Sequence, residues 1–268
     1  MPAAAPLVEA LEPLRSDPSH AAVLLDIDGT LAPIVRHAAD AQVPETTRTL
    51  LIEIAKRYRL VGCVSGRRAA TARQIVAIGT IAYVGNHGGE LLRPGATSPE
   101  VDSELDAWSA RVRAFAAHAL TPERQRLRLR AEDKQAIAAF HWRGAPDEAA
   151  AQDAAREIAA QAEAEGLVVH WGRKVLEVRP PLALDKGLGV VALVDADVDA
   201  LHTALYVGDD TTDIDAFRGL RALVAHGKLE RAVCVAVRSE ETPPELEVEA
   251  DLTIDGPDGV RRLLEALL

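Results

Sequence analysis

Asp26-Ile27-Asp28-Gly29-Thr30 places two carboxylates two residues apart, directly behind the unbroken apolar run Ala21-Ala22-Val23-Leu24-Leu25. Such a run predicts a strand buried on both faces. Gly29 ends it, so the aspartates stand at its C-terminal end, where open α/β sheets place their ligand site. Strand alternation returns residues two apart to one side, so Asp26 and Asp28 can face one cleft. Two carboxylates this close repel unless a cation or a proton lies between them, and oxygen ligands of this kind suit Mg²⁺. Taken alone, the pentapeptide is equally a solvated Asp-Gly turn. Two further polar clusters follow apolar runs: Ser65-Gly66-Arg67 after Leu60–Val64, and Gly208-Asp209-Asp210-Thr211-Thr212-Asp213 after Ala204–Val207. Lys186 precedes another core element. Carboxylates from two strands can share a Mg²⁺, while a hydroxyl, an arginine and a lysine surround a phosphate. In that arrangement Asp26 attacks phosphorus. Asp28 protonates the leaving oxygen and then activates water, and Lys186 with Mg²⁺ offsets the charge of the transferring group. Each cluster also has a plain reading: Ser65-Gly66-Arg67 as a strand-ending turn, Asp209-Asp210 as a helix N-cap.

The elements that must position these residues alternate. Leu7, Ala10, Leu11 and Leu14 have helical spacing and predict a surface helix over 7–15. After Pro33-Ile34-Val35 a polar connection runs to Pro44, where a helix with the apolar stripe Leu50, Leu51, Ile54, Ala55 and Tyr58 begins. Strands at Leu60–Val64 and Ile81–Val84 flank a helix over Ala69–Ile78. This β-α-β-α-β order predicts a doubly wound parallel sheet. Residues 102–119 then form an amphipathic helix. Arg126-Leu127-Arg128-Leu129-Arg130 alternates strictly, as a half-exposed antiparallel strand does. Glu132-Asp133-Lys134 is expected to turn, and Ala136–His141 to return. A helix over about 146–165 ends at Gly166, and a hairpin pairs Leu167–Trp171 with Val175–Val178. The expected organisation is an α/β core of residues 1–102 and 181–268 interrupted by an α+β insert, 103–180. The core resumes with a helix over Leu188–Val194, strands at Ala204–Val207, Val233–Val237 and Leu252–Ile254, and a closing helix.

Composition narrows the classes. With 48% hydrophobic residues and 3% aromatic, the core must be aliphatic, and the chain is globular. A net charge of −11 argues against nucleic acid, while leaving room for local cations around a small anion. No stretch is long and apolar enough to span a membrane, and the first residues lack a secretory signal. The expectation is a cytoplasmic, monomeric enzyme. Cys63 and Cys234 lie in apolar runs and are expected to fill the core.

Asp26-x-Asp28-Gly29-Thr30 with the late Gly208-Asp209-Asp210-x-Thr212-Asp213 resembles the haloacid dehalogenase superfamily of phosphatases. Val64-Ser65-Gly66-Arg67, Gly85-Asn86-His87-Gly88, Glu132-Asp133-Lys134, His141-Trp142-Arg143, the stretch Gly172 to Pro180 and Asp185-Lys186-Gly187 make it closer still to the trehalose-6-phosphate phosphatases. The resemblance covers about residues 20–220. It implies a Mg²⁺-dependent phosphomonoester hydrolase acting through an aspartyl-phosphate in trehalose biosynthesis, with the insert as a specificity cap. Asp26 is then the nucleophile, Asp28 the acid/base, and Asp26, Gly29, Ser65, Gly66, Arg67 and Lys186 surround the phosphate. The Asp26 carboxylate, the Asp28 main-chain carbonyl and Asp209 hold Mg²⁺, with Asp213 one layer behind. Glu132, Lys134, Arg143 and Glu177 grip the sugar. One position departs: Ile214 stands where the family usually has glutamate. Two other functions compete, a phosphatase of sucrose or glucosylglycerol phosphate and a catalytically silent sugar-phosphate sensor. No Gly-x-Gly-x-x-Gly or Gly-x-Ser-x-Gly supports a dehydrogenase or a serine hydrolase.

Overall fold

The structure, a computed structural model, describes residues 5–35, 40–197 and 200–268. Residues 1–4 and part of the polar connection before Pro44 lie outside it. The chain divides into two compact units. One comprises residues 5–35, 40–100 and Leu184–Leu268, the other Val101–Ala183.

In chain order the first part runs α1 (Ala5–Ser16), β1 (Ala21–Leu25), α2 (Glu45–Arg57), β2 (Leu60–Val64), α3 (Ala69–Val76), β3 (Ala82–Gly85), β4 (Glu90–Leu92) and β5 (Glu100–Val101). The middle contains α4 (Ser103–Ala119), α5 (Pro122–Arg126), β6 (Arg130–Asp133), β7 (Ala138–His141), α6 (Glu148–Ala164), β8 (Val168–Gly172) and β9 (Val175–Arg179). The chain closes with α7 (Lys186–Asp195), β10 (Thr203–Gly208), α8 (Thr211–Ala225), β11 (Arg231–Arg238), α9 (Pro244–Glu249), β12 (Leu252–Asp255) and α10 (Gly256–Leu267).

The large sheet has the order β12-β11-β10-β1-β2-β3-β4-β5. It is parallel from β12 to β3, and β4 joins antiparallel. β1 is central because every one of its side chains is buried. Ala21, Val23 and Leu25 pack with Leu11 and Leu14 of α1, Leu51 and Ile54 of α2, and Leu263 and Leu264 of α10. Ala22 and Leu24 pack on the other face with Val190 and Leu193 of α7 and Phe217 and Leu220 of α8. Successive connections leave β1 in opposite directions, to β2 on one side and to β10 on the other. The crevice past the β1 and β10 ends is therefore a topological switch point.

α1 is the surface helix its spacing predicts: Leu7, Leu11 and Leu14 bury one face in the core, while Glu9, Glu12 and Arg15 are exposed. The expected strand over 126–130 is corrected. Thr121 caps α5 by accepting from the Arg124 N–H, with Pro122 at the first helical position. Arg128 is left-handed, with φ 61°, which breaks the alternation. Glu132 and Asp133 belong to β6, and the turn falls at Lys134-Gln135, where Gln135 has φ 69°.

In the second unit β6-β7-β9-β8 form an antiparallel sheet. Ala138, Phe140, Leu176 and Val178 point to one face and bury against Val112 and Phe115 of α4 and Ala155 and Ile158 of α6. The opposite face carries charge. No helix among the described residues is long and apolar enough to cross a membrane.

Candidate active site

Asp26 is the first residue past the β1 ladder, and its N–H donates to the Val207 carbonyl at 2.9 Å. The chain then folds back on itself. The Gly29 N–H donates to Ala32 O at 2.8 Å and the Ala32 N–H to Ile27 O at 2.8 Å. Gly29 has φ 87°, and a Cβ there would lie 2.1 Å from Asp209 Oδ2. Only glycine meets both demands, and its lack of a side chain makes room for the Asp209 carboxylate.

β10 delivers Asp209 next to Asp26. Asp210 caps α8, and Asp213, three positions on, reaches back. Asp213 Oδ2 accepts the Asp209 and Asp210 N–H groups at 3.0 and 2.9 Å. Its Oδ1 accepts the Tyr206 hydroxyl at 2.7 Å and Lys186 Nζ at 2.6 Å. A Cβ at residue 208 would come 2.2 Å from Asp213 Cγ, so Gly208 is what lets this carboxylate approach the backbone. Lys186 opens α7, whose N-cap Asp185 accepts the Leu188 N–H at 2.7 Å. Nζ of Lys186 also donates to Asp26 Oδ1 at 2.7 Å. Carboxylate oxygens of Asp26, Asp209 and Asp213 all lie within 4.8 Å of one another, and all three residues are buried.

Burial pushes the Asp26 carboxyl well above its usual range. Repulsion from Asp213, Asp209 and Asp28 adds to this, and Lys186 opposes it. Burial alone would strip Lys186 of its proton, but Asp213 and Asp26 beside it reverse the balance and hold the ammonium charged. Burial, then the charge of Asp213, likewise keeps the Tyr206 phenol protonated. Among Asp26, Asp28, Asp209, Asp213, Lys186 and Arg67, carboxylates outnumber cationic groups by two. An all-oxygen donor set with that excess fits a divalent hard cation.

Past β2, the Arg67 N–H donates to Ser65 Oγ at 3.2 Å. The sequence reading put Arg67 on the phosphate. In the structure its guanidinium grips Asp28, Nε to Oδ2 at 2.6 Å and Nη2 to Oδ1 at 2.7 Å. A planar fork on a carboxylate fixes orientation as well as distance.

Two residues that sequence reasoning missed complete this site. Tyr206 looked like one more apolar strand residue, and only the register of β10 aims its hydroxyl at Asp213. Glu90 is buried on β4. Its Oε2 accepts the Ala69 N–H at 2.7 Å and its Oε1 the Asn86 amide at 2.8 Å. Arg68 Nε lies 3.5 Å from Oε1. Glu90 thus ties the 65–69 loop to the loop after β3, where Asn86 and His87 are left-handed with φ 48° and 53°. A glutamate beside the apolar Leu91-Leu92 was the available signal.

In the second unit, register puts Glu132 opposite Ala139 and Ala139 opposite Glu177, so both glutamates share the charged face. Lys134 Nζ donates to Glu177 Oε1 at 2.7 Å, and Arg179 Nε donates to Glu177 Oε2 at 2.9 Å. Lys134, Glu177 and Arg179 are all buried. His141 Nε2 and Glu132 Oε2 are 2.9 Å apart. Arg143 lies just past β7, and its Nη2 donates to the Arg173 carbonyl at 3.3 Å. Sequence reasoning did not single out Arg179.

The sequence profile of the trehalose-phosphatase family matches residues 24–251, which holds both the aspartate cluster and the charged sheet. The chain belongs to that family. A relative, the trehalose-phosphate phosphatase of Mycobacterium marinum, is 34% identical over 238 residues, covering 83% of this chain and 58% of the relative. The chain thus spans little more than half the length of the curated relatives it matches. Among solved structures, the C-terminal domain of the C. albicans trehalose-6-phosphate phosphatase superposes with a TM-score of 0.76 at 22% identity, over 99% of this chain and 98% of that one. A haloacid dehalogenase-like hydrolase from Bacteroides thetaiotaomicron does so at 0.62 and 15%, over 93% and 100%. The fold is that of the haloacid dehalogenase-like hydrolases.

Proposed function

We propose that this chain hydrolyses trehalose 6-phosphate to trehalose and phosphate through an aspartyl-phosphate on Asp26. The observation that carries this reading is the buried Asp26–Lys186–Asp213 chain beside Asp209 at the sheet's switch point, in a member of the trehalose-phosphatase family. A carboxylate oxygen of Asp26 attacks phosphorus as the bond from phosphorus to the sugar's 6-oxygen breaks, and Asp28 gives that oxygen its proton. Asp28 then takes a proton from water, whose oxygen attacks phosphorus, and the bond to Asp26 breaks to release phosphate. Arg67 holds Asp28 in place for both transfers. Lys186 spends two of its three N–H donors on Asp26 and Asp213, and the third is left for a phosphoryl oxygen. Ser65 accepts from the Arg67 N–H, so its own hydroxyl hydrogen is left for another. Gly29 and Gly66 are proposed to meet the phosphate through their backbone; the missing Cβ of Gly66 makes room for the His87 ring.

Mg²⁺ fits the donor set, and Asp26, the Asp28 main-chain carbonyl and Asp209 would hold it. Asp213 already accepts four hydrogen bonds, which keeps it a layer behind. Bound there, the ion supplies charge neutralisation for the incoming phosphate. Glu132, Lys134, Arg143 and Glu177 are proposed to read the sugar, because charged donors and acceptors on one sheet face match hydroxyl groups.

Phosphate release from a panel of sugar phosphates with Mg²⁺, repeated with EDTA, tests the reading. We expect a chelator-sensitive preference for trehalose 6-phosphate in kcat/KM. A higher value on sucrose or glucosylglycerol phosphate moves the substrate, and no turnover on any member leaves only a sugar-phosphate sensor.

A further inference from the structure

We propose that Glu90 is a positioning residue for Asp28, acting through Arg67; the inference rests on reading Asp28 as the acid/base. Glu90 opens β4 and pairs with Gly85 at the end of β3. It is 1% exposed, an acidic residue buried beside Leu91 and Leu92. Burying such a group costs stability unless its oxygens are hydrogen-bonded. Both are, and the two donors come from different loops. Oε2 accepts the Ala69 N–H at 2.7 Å, and Oε1 accepts the Asn86 amide at 2.8 Å. Ala69 is the first residue of α3, whose N-cap residue, Arg68, makes no side-chain cap. Glu90 supplies that acceptor from another strand, and its negative charge suits a helix N-terminus.

The loops after β2 and β3 are laid on each other along their length. The Ser65 N–H donates to Val84 O at 2.9 Å, the Asn86 N–H to Arg67 O at 2.8 Å and the His87 N–H to Ser65 O at 3.3 Å. A Cβ at residue 85 would lie 2.2 Å from Ala69 N, and one at residue 66 would lie 2.6 Å from His87 Nε2. Both glycines are therefore demanded by close approach. Asn86 and His87 hold left-handed φ values of 48° and 53°. Such a pair of non-glycine residues persists only where the surroundings over-determine it.

Arg67 sits in the middle of this contact. Its carbonyl accepts from Asn86, its N–H donates to Ser65 Oγ at 3.2 Å, and Glu90 fixes the chain two residues on. Its guanidinium then delivers two N–H groups to the Asp28 carboxylate. A planar fork that orients a carboxylate passes on any shift of its own backbone. Glu90 thus touches no reacting atom and sets where Asp28 waits.

The test is a double-mutant cycle between E90Q and R67K. It is read as kcat/KM with Mg²⁺ on trehalose 6-phosphate and on p-nitrophenyl phosphate. Glutamine keeps the volume and loses one of the two acceptors. kcat/KM extends only to departure of the leaving group, so it reports the proton given by Asp28 and not the later attack of water. p-Nitrophenolate leaves without that proton. E90Q should lower kcat/KM on the sugar phosphate about tenfold, the scale of a small misplacement, and change it less than about twofold on p-nitrophenyl phosphate. In the R67K background E90Q should add no further loss, since the fork it positions is already gone. If E90Q does not fold, N86G gives the same comparison with a smaller loss, because glycine suits the left-handed backbone and removes the amide from Glu90. Equal losses on both substrates, or losses that multiply in the double variant, would make Glu90 structural only. D28N separates the two readings. If it keeps wild-type kcat/KM on the sugar phosphate, the acid/base reading falls, and this inference with it.

Discussion

At Asp26 the surroundings decide the chemistry more than the residue does. Lys186 holds one oxygen while three carboxylates press on it, so D26N removes the nucleophile together with a source of repulsion. We expect kcat to fall by more than about 10⁴-fold, while the Tm of the metal-free protein stays level or rises; near wild-type turnover would rule out the covalent route. Arg67 offers a sharper test, because its fork is filled by Asp28. R67K keeps the charge but loses the bidentate grip. If Arg67 positions Asp28, kcat should drop by roughly 10²-fold, the scale of a misplaced acid/base, with KM little changed. A rise in KM at constant kcat would put Arg67 on the phosphate, as its sequence position implied.

At the scale of elements, the second unit's sheet changes how its sugar-binding role should be probed. Glu177 is buried between Lys134 and Arg179. E177A would take a buried carboxylate from beside two buried cations, costing about 3–5 kcal/mol, so a loss of activity would not separate folding from sugar contact. E177Q keeps the shape and one acceptor oxygen. If Glu177 contacts sugar, E177Q should lower kcat/KM on trehalose 6-phosphate by at least about tenfold, one lost charged hydrogen bond, and leave p-nitrophenyl phosphate almost untouched; equal losses would make Glu177 structural. Glu90 works the same way between loops. E90A leaves the Ala69 N–H and the Asn86 amide without their acceptor, so urea unfolding should show a loss of about 2–4 kcal/mol. An unchanged midpoint would mean the two loops hold without it.

At the scale of the whole molecule, the aspartate cluster couples metal, protons and stability. The folded chain keeps the Asp26 proton to higher pH than an unfolded one, where aspartate titrates near 4. The folded state therefore binds more protons between that value and Asp26's raised one. Stability of the metal-free protein falls as pH rises through that window. Mg²⁺ binds the deprotonated carboxylate and relieves the repulsion, so the Mg²⁺-induced rise in Tm should be larger at about pH 8 than at about pH 5. An equal rise at both, or none, would separate Mg²⁺ from Asp26. Sequence alone determined the alternation of buried strands and helices, the polar clusters at three strand ends and the lysine at the start of α7, because burial on both faces leaves an unbroken apolar run and a glycine stop that local patterning records. It misplaced the strand at 126–130, because a capped turn and a left-handed Arg128 interrupt a pattern that alternates only in composition. Tertiary structure alone decided which polar groups meet. Tyr206 finds Asp213 because the start of α8 folds back against the end of β10, while Arg67 finds Asp28, Glu90 joins two loops and His20 stacks on His202 across strands whose neighbours are set by sheet order and not by distance along the chain.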